Sequence, residues 1–189
     1  RGSGDNGGSI FPGSGDVGEA KAARTFRAVV AAEGGIRNDL DWSPDGQTIA
    51  FSRLVRGERS ALVNDIFLLN TTTLTEEQLT VSRRASWPAF SPEGDRVAYV
   101  VNEGGVGNVV IRELESGEEE QVTHYEGDVQ VIHLVWNRHR DELVFHRFGP
   151  DGDRHLVALD LKRGEERLLD GGEPRDGAER ASGSGSEAV

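Results

Sequence analysis

The stretch "DLDWSPDGQTIAFSR", residues 39–53, decides the fold. Trp42 precedes the four-residue segment Ser43-Pro44-Asp45-Gly46, and the alternating apolar residues of a strand follow. Proline fixes φ near about −65°, aspartate can accept backbone hydrogen bonds, and glycine tolerates a positive φ. The stretch therefore predicts two strands joined by a tight reversing turn, and it gives Asp45 a structural rather than a catalytic role.

The same pattern recurs twice, in "PAFSPEGDRVAYV" at 88–100 and "LVWNRHRDELVFH" at 134–146. The aromatic residues before the three turns are Trp42, Phe90 and Trp136, which are 48 and 46 residues apart. The second turn keeps the motif as Phe90-Ser91-Pro92-Glu93-Gly94, whereas the third is a degenerate Asn137-Arg138-His139-Arg140. We expect the three aromatic side chains to pack between neighbouring units, because a large flat ring buries much area per residue.

Each repeat alternates apolar and polar residues as strands do, and none shows a helical period. We predict an all-β fold in which each repeat is a blade of four short antiparallel strands. The predicted blades are 39–81, 85–124 and 131–170. Four strands at a period of about 40–50 residues are typical of propeller blades.

The aromatic, the Ser-Pro-Asp-Gly turn, the strand and the following "NDIFLLN" and "EEQLT" segments resemble the TolB-like, WD40-like β-propeller repeat over about 39–170. That repeat occurs in periplasmic partner-binding proteins and in the non-catalytic propellers of prolyl oligopeptidase-like and tricorn-like peptidases. The resemblance therefore implies a non-enzymatic scaffold for protein interactions in the bacterial periplasm or extracellular space. The alternative that it implies is a propeller that gates substrate access to a peptidase domain not present here.

Propellers typically close with about 4–8 blades, and three repeats predict an incomplete, open propeller or a fragment of a larger one. We interpret residues 1–23 as a flexible tether, 24–170 as the propeller domain with an orphan strand at 25–32, and 171–189 as a flexible Gly/Ser tail. The open ends should expose apolar side chains and favour self-association. The side chains that we expect to be exposed there are Ile49, Phe51, Leu143 and Phe145.

Composition excludes several kinds of function. With 33 acidic and 21 basic residues the chain has a net charge of −12, which disfavours nucleic acid and anionic membrane surfaces as partners. No apolar run approaches the roughly 20 residues of a membrane-spanning helix, so we expect no direct membrane insertion. The chain has no cysteine and no recognised catalytic or phosphate-binding motif. Because such motifs are missing, we expect no enzyme activity and no cofactor. The histidines show no metal-ligand spacing, so we also expect no metal site.

Chain direction predicts where a binding site would lie. In a four-stranded meander the Ser-Pro-Asp-Gly turns share one face, and the longer, non-repeating loops share the other. Repeat proteins place variable loops on their binding face, and Arg and Tyr side chains are frequent binding hot spots. The candidate residues for a protein or peptide partner are therefore Arg56, Arg59, Arg83, Arg84, His124 and Tyr125.

Overall fold

The computed structural model describes residues 39–57 and 61–170. These residues form three four-stranded sheets, here called blades 1, 2 and 3 in chain order. Blade 1 contains β1 Leu40–Trp42, β2 Thr48–Arg56, β3 Leu62–Asn70 and β4 Glu76–Gln78. Blade 2 contains β5 Ala85–Phe90, β6 Arg96–Glu103, β7 Val106–Glu113 and β8 Glu119–Gln121. Blade 3 contains β9 Gln130–Trp136, β10 Glu142–Phe148, β11 Arg154–Asp160 and β12 Glu165–Leu168.

Every blade is an antiparallel meander in which consecutive strands pair. No helix occurs in the described part of the chain, so none there is long and apolar enough to cross a membrane. The prediction of an all-β fold with three repeated blades is confirmed. The predicted tether, the orphan strand at 25–32, the tail and Arg59 lie outside the described residues.

Two apolar clusters hold the blades together. The first interblade cluster joins blades 1 and 2 around Phe90, Tyr99 and Ala50, which are 3%, 0% and 0% exposed. The second joins blades 2 and 3 around Trp136, Phe145 and Ala98. In both clusters the aromatic side chains of the later blade meet aliphatic side chains of the earlier one, including the small Ala50 and Ala98. This alternation of large and small residues lets neighbouring sheets interdigitate at native density.

The three aromatic residues before the turns do not share one environment. Phe90 and Trp136 lie in the first and second interblade clusters, whereas Trp42 is 43% exposed. The expectation that Trp42 packs between two blades is wrong for the described residues. Its side of blade 1 faces away from blade 2, and the described residues place no blade on that side.

The expected exposure of four apolar residues at the open ends is also wrong. Leu143 and Phe145 are fully buried, because they point back towards blade 2 into the second interblade cluster. Ile49 and Phe51 are 3% and 1% exposed and belong to a third apolar cluster on the other face of blade 1, where Phe51 stacks on Phe67 at 5.9 Å. The apolar side chains exposed in the described part of blade 3 are instead Val135, at 54%, and Leu169, at 39%.

The turn motif is built as its sequence predicts, with one change in the second copy. In blade 1 the Ser43 hydroxyl donates to Asp45 at 2.6 Å, the Gln47 N–H also donates to Asp45, and Gly46 has φ +69°. The Ser43 bond, followed by the Gln47 bond, lowers the pKa of Asp45. In blade 2 the equivalent acceptor is Asp95, at 2.7 Å from the Ser91 hydroxyl. Glu93 therefore does not repeat the role of Asp45.

Candidate functional site

A cleft of about 420 Å³ opens on the loop face, the side of the blades that carries the connections between second and third strands and between blades. All three blades line it. The lining residues are Leu54, Leu62, Val63 and Asn64 of blade 1, Arg84, Ser86, Trp87, Val100 and Asn102 of blade 2, and Gln130, Val131 and Ile132 of blade 3. None of these is acidic and one of them, Arg84, is basic, so the cleft is positive in a chain of net charge −12.

The guanidinium of Arg84 is exposed and has no carboxylate partner among the described residues. Seven other described arginines do have such partners: Arg53, Arg83, Arg96, Arg112, Arg138, Arg147 and Arg167. Arg84 also has a φ of +53°, in the left-handed region that non-glycine residues seldom occupy. A strained, unpaired arginine at the mouth of a cleft is an observation from which a binding role can be inferred.

A buried carboxylate holds the loop that carries Arg84. Asp65 is 1% exposed and accepts the N–H groups of Ser82 and Arg83 at 2.7 and 3.0 Å. It also accepts the hydroxyl of Thr80 at 3.0 Å and the side-chain amide of Gln78 at 3.3 Å. Because the loop is tied to a rigid sheet by these bonds, the position of Arg84 is set by the blade itself.

Two strained residues shape the inner strands of blades 2 and 3. Trp87 in β5 and His133 in β9 stand at the same repeat position, with φ values of +57° and +55°. At both points the strand register shifts, as at a β-bulge. A bulge changes the direction of the side chain that it carries. Here it brings the two rings together edge to face at 4.5 Å and leaves Trp87 lining the cleft.

The same bulge places two histidines side by side. Nδ1 of His133 lies 3.2 Å from Nδ1 of His146, and their rings are nearly perpendicular. Within the described residues no group of three or more histidine, aspartate or glutamate side chains is arranged to hold a metal ion. The pair therefore forms a hydrogen-bonded ring contact beside Trp87. Together the three rings of Trp87, His133 and His146 form a continuous row.

Arg83 contributes to the contact between blades. It binds Glu119 of β8 at 3.0 Å, and the same carboxylate receives bonds from Tyr99 at 2.7 Å and Arg112 at 3.0 Å. Burial raises the pKa of Glu119, but the bonds from Tyr99 and Arg112 and the charges of the two arginines outweigh it, so the pKa is lowered overall. Burial and the bond to Glu119 raise the pKa of Tyr99 well above its usual range.

Tyr125 has the corresponding position between blades 2 and 3. Its hydroxyl donates to Glu166 of β12, and the guanidinium of Arg147 lies 5.6 Å from its ring centre while binding the same carboxylate. Burial, followed by the bond to Glu166, raises the pKa of Tyr125 far above its usual range. Tyr125 and Arg83 thus both link a loop to the outer strand of the next blade.

The other predicted residues lie apart from the cleft lining. Arg56 is exposed at the end of β2, and Nδ1 of the exposed His124 lies 3.2 Å from the side-chain amide of Gln121. Of the predicted set, the structure therefore places Arg84 in the cleft. Sequence reasoning did not single out the cleft residues Trp87, Asn102 and Gln130.

Comparison by sequence gives no match, either to a protein-family model or to a curated protein. Comparison by structure does. A TolB-like protein of Agrobacterium tumefaciens superposes with a TM-score of 0.61 at 23% identity, over 71% of this chain and 46% of that one. The chain has a β-propeller fold. It spans less than half the length of that TolB-like protein.

Two further propellers share this fold at lower identity. The β-propeller domain of the Trilobed protease from Pyrococcus furiosus gives a TM-score of 0.53 at 17% identity, over 76% of this chain and 43% of that one. A chain of the nidogen/laminin complex gives 0.56 at 9% identity, over 72% of this chain and 48% of that one. At these identities the likeness concerns the fold.

Proposed function

We propose that the chain is a non-enzymatic, TolB-like propeller module that binds a protein partner through an acidic peptide segment seated in the loop-face cleft. The observation that carries the proposal is the unpaired Arg84 in a cleft without a lining carboxylate. In a chain of net charge −12, such a cleft is a local positive site that attracts negative groups. A guanidinium binds a carboxylate with two parallel hydrogen bonds, which gives direction as well as affinity.

The rest of the cleft suits the remainder of a peptide. Trp87 and the 64% exposed Leu62 offer apolar surface for a leucine or aromatic side chain of the ligand. The Asn102 amide donates to Gln130 at 3.0 Å, and the Gln130 amide donates to the carbonyl of Gly105. Each of these bonds uses one N–H, so a second N–H on each amide can bind the backbone of a peptide.

Selection from a random peptide library displayed on phage tests the proposal on the full chain. Enriched peptides should combine Asp or Glu with leucine or an aromatic residue. Arg84→Gln should weaken their binding about tenfold or more in fluorescence anisotropy, since a lost charge-assisted bond has that effect. The charge-matched control is Arg163→Gln in the turn between β11 and β12, which should bind as the unaltered chain does. Basic peptides, or equal binding by Arg84→Gln, would contradict the proposal.

Known propellers support the class of function. A propeller chain similar in fold occurs in the nidogen/laminin complex, which is an assembly of proteins. The TolB-like neighbour, together with the sequence resemblance, supports a periplasmic or extracellular site of action. Cell fractionation of the natural source, with antibody detection of the chain, tests this compartment, and recovery in the cytoplasmic fraction would refute it.

A second candidate function is supported by the Trilobed protease propeller. In this alternative the chain is the non-catalytic propeller of a peptidase and controls access to a catalytic domain encoded beyond Val189. The reading frame of the natural gene separates the two proposals. A nucleophile elbow followed by aspartate and histidine downstream would favour the peptidase, and its absence would favour the binding module.

A further inference from the structure

The degenerate turn of blade 3 differs from its two counterparts in charge. At the positions of Ser43-Pro44-Asp45-Gly46, blade 3 has Asn137-Arg138-His139-Arg140, so two arginines and a histidine replace a turn that carries a carboxylate. The side chain of Asn137 forms the hydrogen bonds that hold this turn. Its side chain accepts the N–H of His139 and donates to Glu142, both at 3.0 Å. The side chains of the three residues after Asn137 are therefore not needed as acceptors within the turn, where Arg140 accepts the Glu142 N–H through its backbone carbonyl.

These residues line a pocket of about 280 Å³ on the turn face, opposite the loop-face cleft. The pocket lies between the turns of blades 2 and 3. Its lining is Pro92, Glu93, Arg96, Arg138, His139, Arg140, Asp141 and Lys162. Four arginine or lysine side chains and two carboxylates give the pocket a formal charge of +2 with histidine neutral, within a chain of −12.

The carboxylates near the pocket satisfy only part of this positive charge. Asp141 and Asp95 lie 3.6 and 3.7 Å from Arg96, and Asp41 of blade 1 lies 3.7 Å from Arg138, all longer than a close ion pair. Arg140 and Lys162 form no close ion pair among the described residues, although Arg140 interacts electrostatically with Glu142. Arg96 is already held in place, because its guanidinium lies over the ring of Trp136 at 4.9 Å. The pocket is therefore partly preorganised, and its own lining is short of negative charge.

We propose that this turn-face pocket binds a phosphate group, free or as a phosphate ester. A phosphate dianion matches the formal charge of the pocket, and guanidinium groups bind its oxygens with paired hydrogen bonds. The volume is at the small end of the range for ligand pockets, which suits one phosphate rather than a nucleotide. The site is separate from the loop-face cleft and does not depend on the peptide-binding proposal.

Isothermal titration of the full chain with inorganic phosphate and, separately, with phosphoserine tests the proposal. Both probes should bind, more weakly as sodium chloride rises to about 0.15 M because the charges are exposed. The double variant Arg138→Gln, Arg140→Gln should weaken binding about tenfold or more. The control Arg154→Gln removes one charge at the opposite face, where Arg154 lies over Phe148, and should leave phosphate affinity within about twofold.

The relative affinities of the two probes distinguish a phosphate ester from the free phosphate ion, and the variants test the proposal itself. Tighter binding of phosphoserine than of inorganic phosphate identifies an ester as the natural ligand, and the reverse order identifies the free ion. Lys162→Gln, a single exposed change that leaves both turn arginines in place, should give an intermediate loss. No binding of either probe, or equal losses in Arg154→Gln and the double variant, would overturn the assignment. Circular dichroism of each variant shows whether the sheets remain folded.

Discussion

Replacing the buried Asp65 should separate the cost of losing an acceptor from the cost of losing a charge. Asp65→Ala removes the acceptor of four hydrogen bonds, from Thr80, Gln78, Ser82 and Arg83. Bonds to charged groups contribute about 1.5–3 kcal/mol each, but loop donors can partly rehydrate. We therefore expect Asp65→Ala to lower the free energy of unfolding by about 3–5 kcal/mol, because four donors lose their acceptor at once.

Asp65→Asn should be milder, because blade 2 has asparagine at this position. Asn108 accepts the Thr123 hydroxyl at 3.0 Å and the Tyr125 N–H at 2.7 Å, and its amide donates to the Tyr125 carbonyl. In blade 1 the new amide would face two donors, the N–H of Ser82 and the side-chain amide of Gln78, so two bonds are lost, at about 1–3 kcal/mol together. Urea unfolding followed by tryptophan fluorescence measures both variants, with the exposed Asp128→Ala as control. Equal losses in the two Asp65 variants, or a loss below about 1 kcal/mol in Asp65→Ala, would refute this account of the loop.

Three further predictions concern the repeats. Leu74 has φ +59° where blades 2 and 3 have glycine, so Leu74→Gly should stabilise the chain by about 0.5–1 kcal/mol in the same urea assay. Trp136→Ala should cost about 3–5 kcal/mol because Trp136 is buried, and Trp42→Ala about half of that or less because Trp42 is 43% exposed. The pKa of Glu119 is lower in the folded chain than its unfolded value of about 4.3, so its ionised form stabilises the fold above that pH. This stability is lost as the pH falls through the folded pKa. Glu119→Gln should therefore make the free energy of unfolding less dependent on pH in the acidic range.

The repeats could be predicted because their signals are local. Turn residues and alternating apolar positions specify a hairpin within about ten residues of sequence, and three copies specify the blade. The first strands of the three blades begin at Leu40, Ala85 and Gln130, within one residue of the starts 39, 85 and 131 given for the predicted blades. Even the degenerate third turn preserved its strands, since Asn137 forms the same closing backbone bond as Ser43 and Ser91 and adds side-chain bonds of its own.

Side-chain environments between blades could not be predicted in the same way. Which face of a strand meets the preceding blade depends on the stacking of sheets, so Leu143 and Phe145 were expected at an open end and lie in the second interblade cluster. The bulges at Trp87 and His133 have no local sequence signal, because neither residue is typical of a positive φ. The bulges are visible only in the three-dimensional structure, as shifts in strand register. In blade 2 the register shifts between Ser86 and Ala89, and in blade 3 it shifts at the equivalent position.

The candidate site was predicted in part. Its face was inferred from chain direction, and Arg84 from its place on that face. Arg83 stood beside Arg84 in the sequence with the same chemistry, yet it binds Glu119 of the next blade, 36 residues away. Long-range ion pairs of this kind decide which arginine remains for a ligand, and they cannot be inferred from one sequence.

The indole N–H signals of the chain's three tryptophans give the most direct test of the peptide-binding cleft. One ¹⁵N-correlated NMR titration with a peptide from the library selection reports Trp87 in the cleft, Trp42 on the exposed side of blade 1 and Trp136 in the second interblade cluster. We predict that the Trp87 signal shifts to saturation while the other two stay in place, and that Arg84→Gln removes the shift. A Trp87 signal that does not move while the peptide binds, or a shift confined to Trp42, would contradict a binding site in the loop-face cleft.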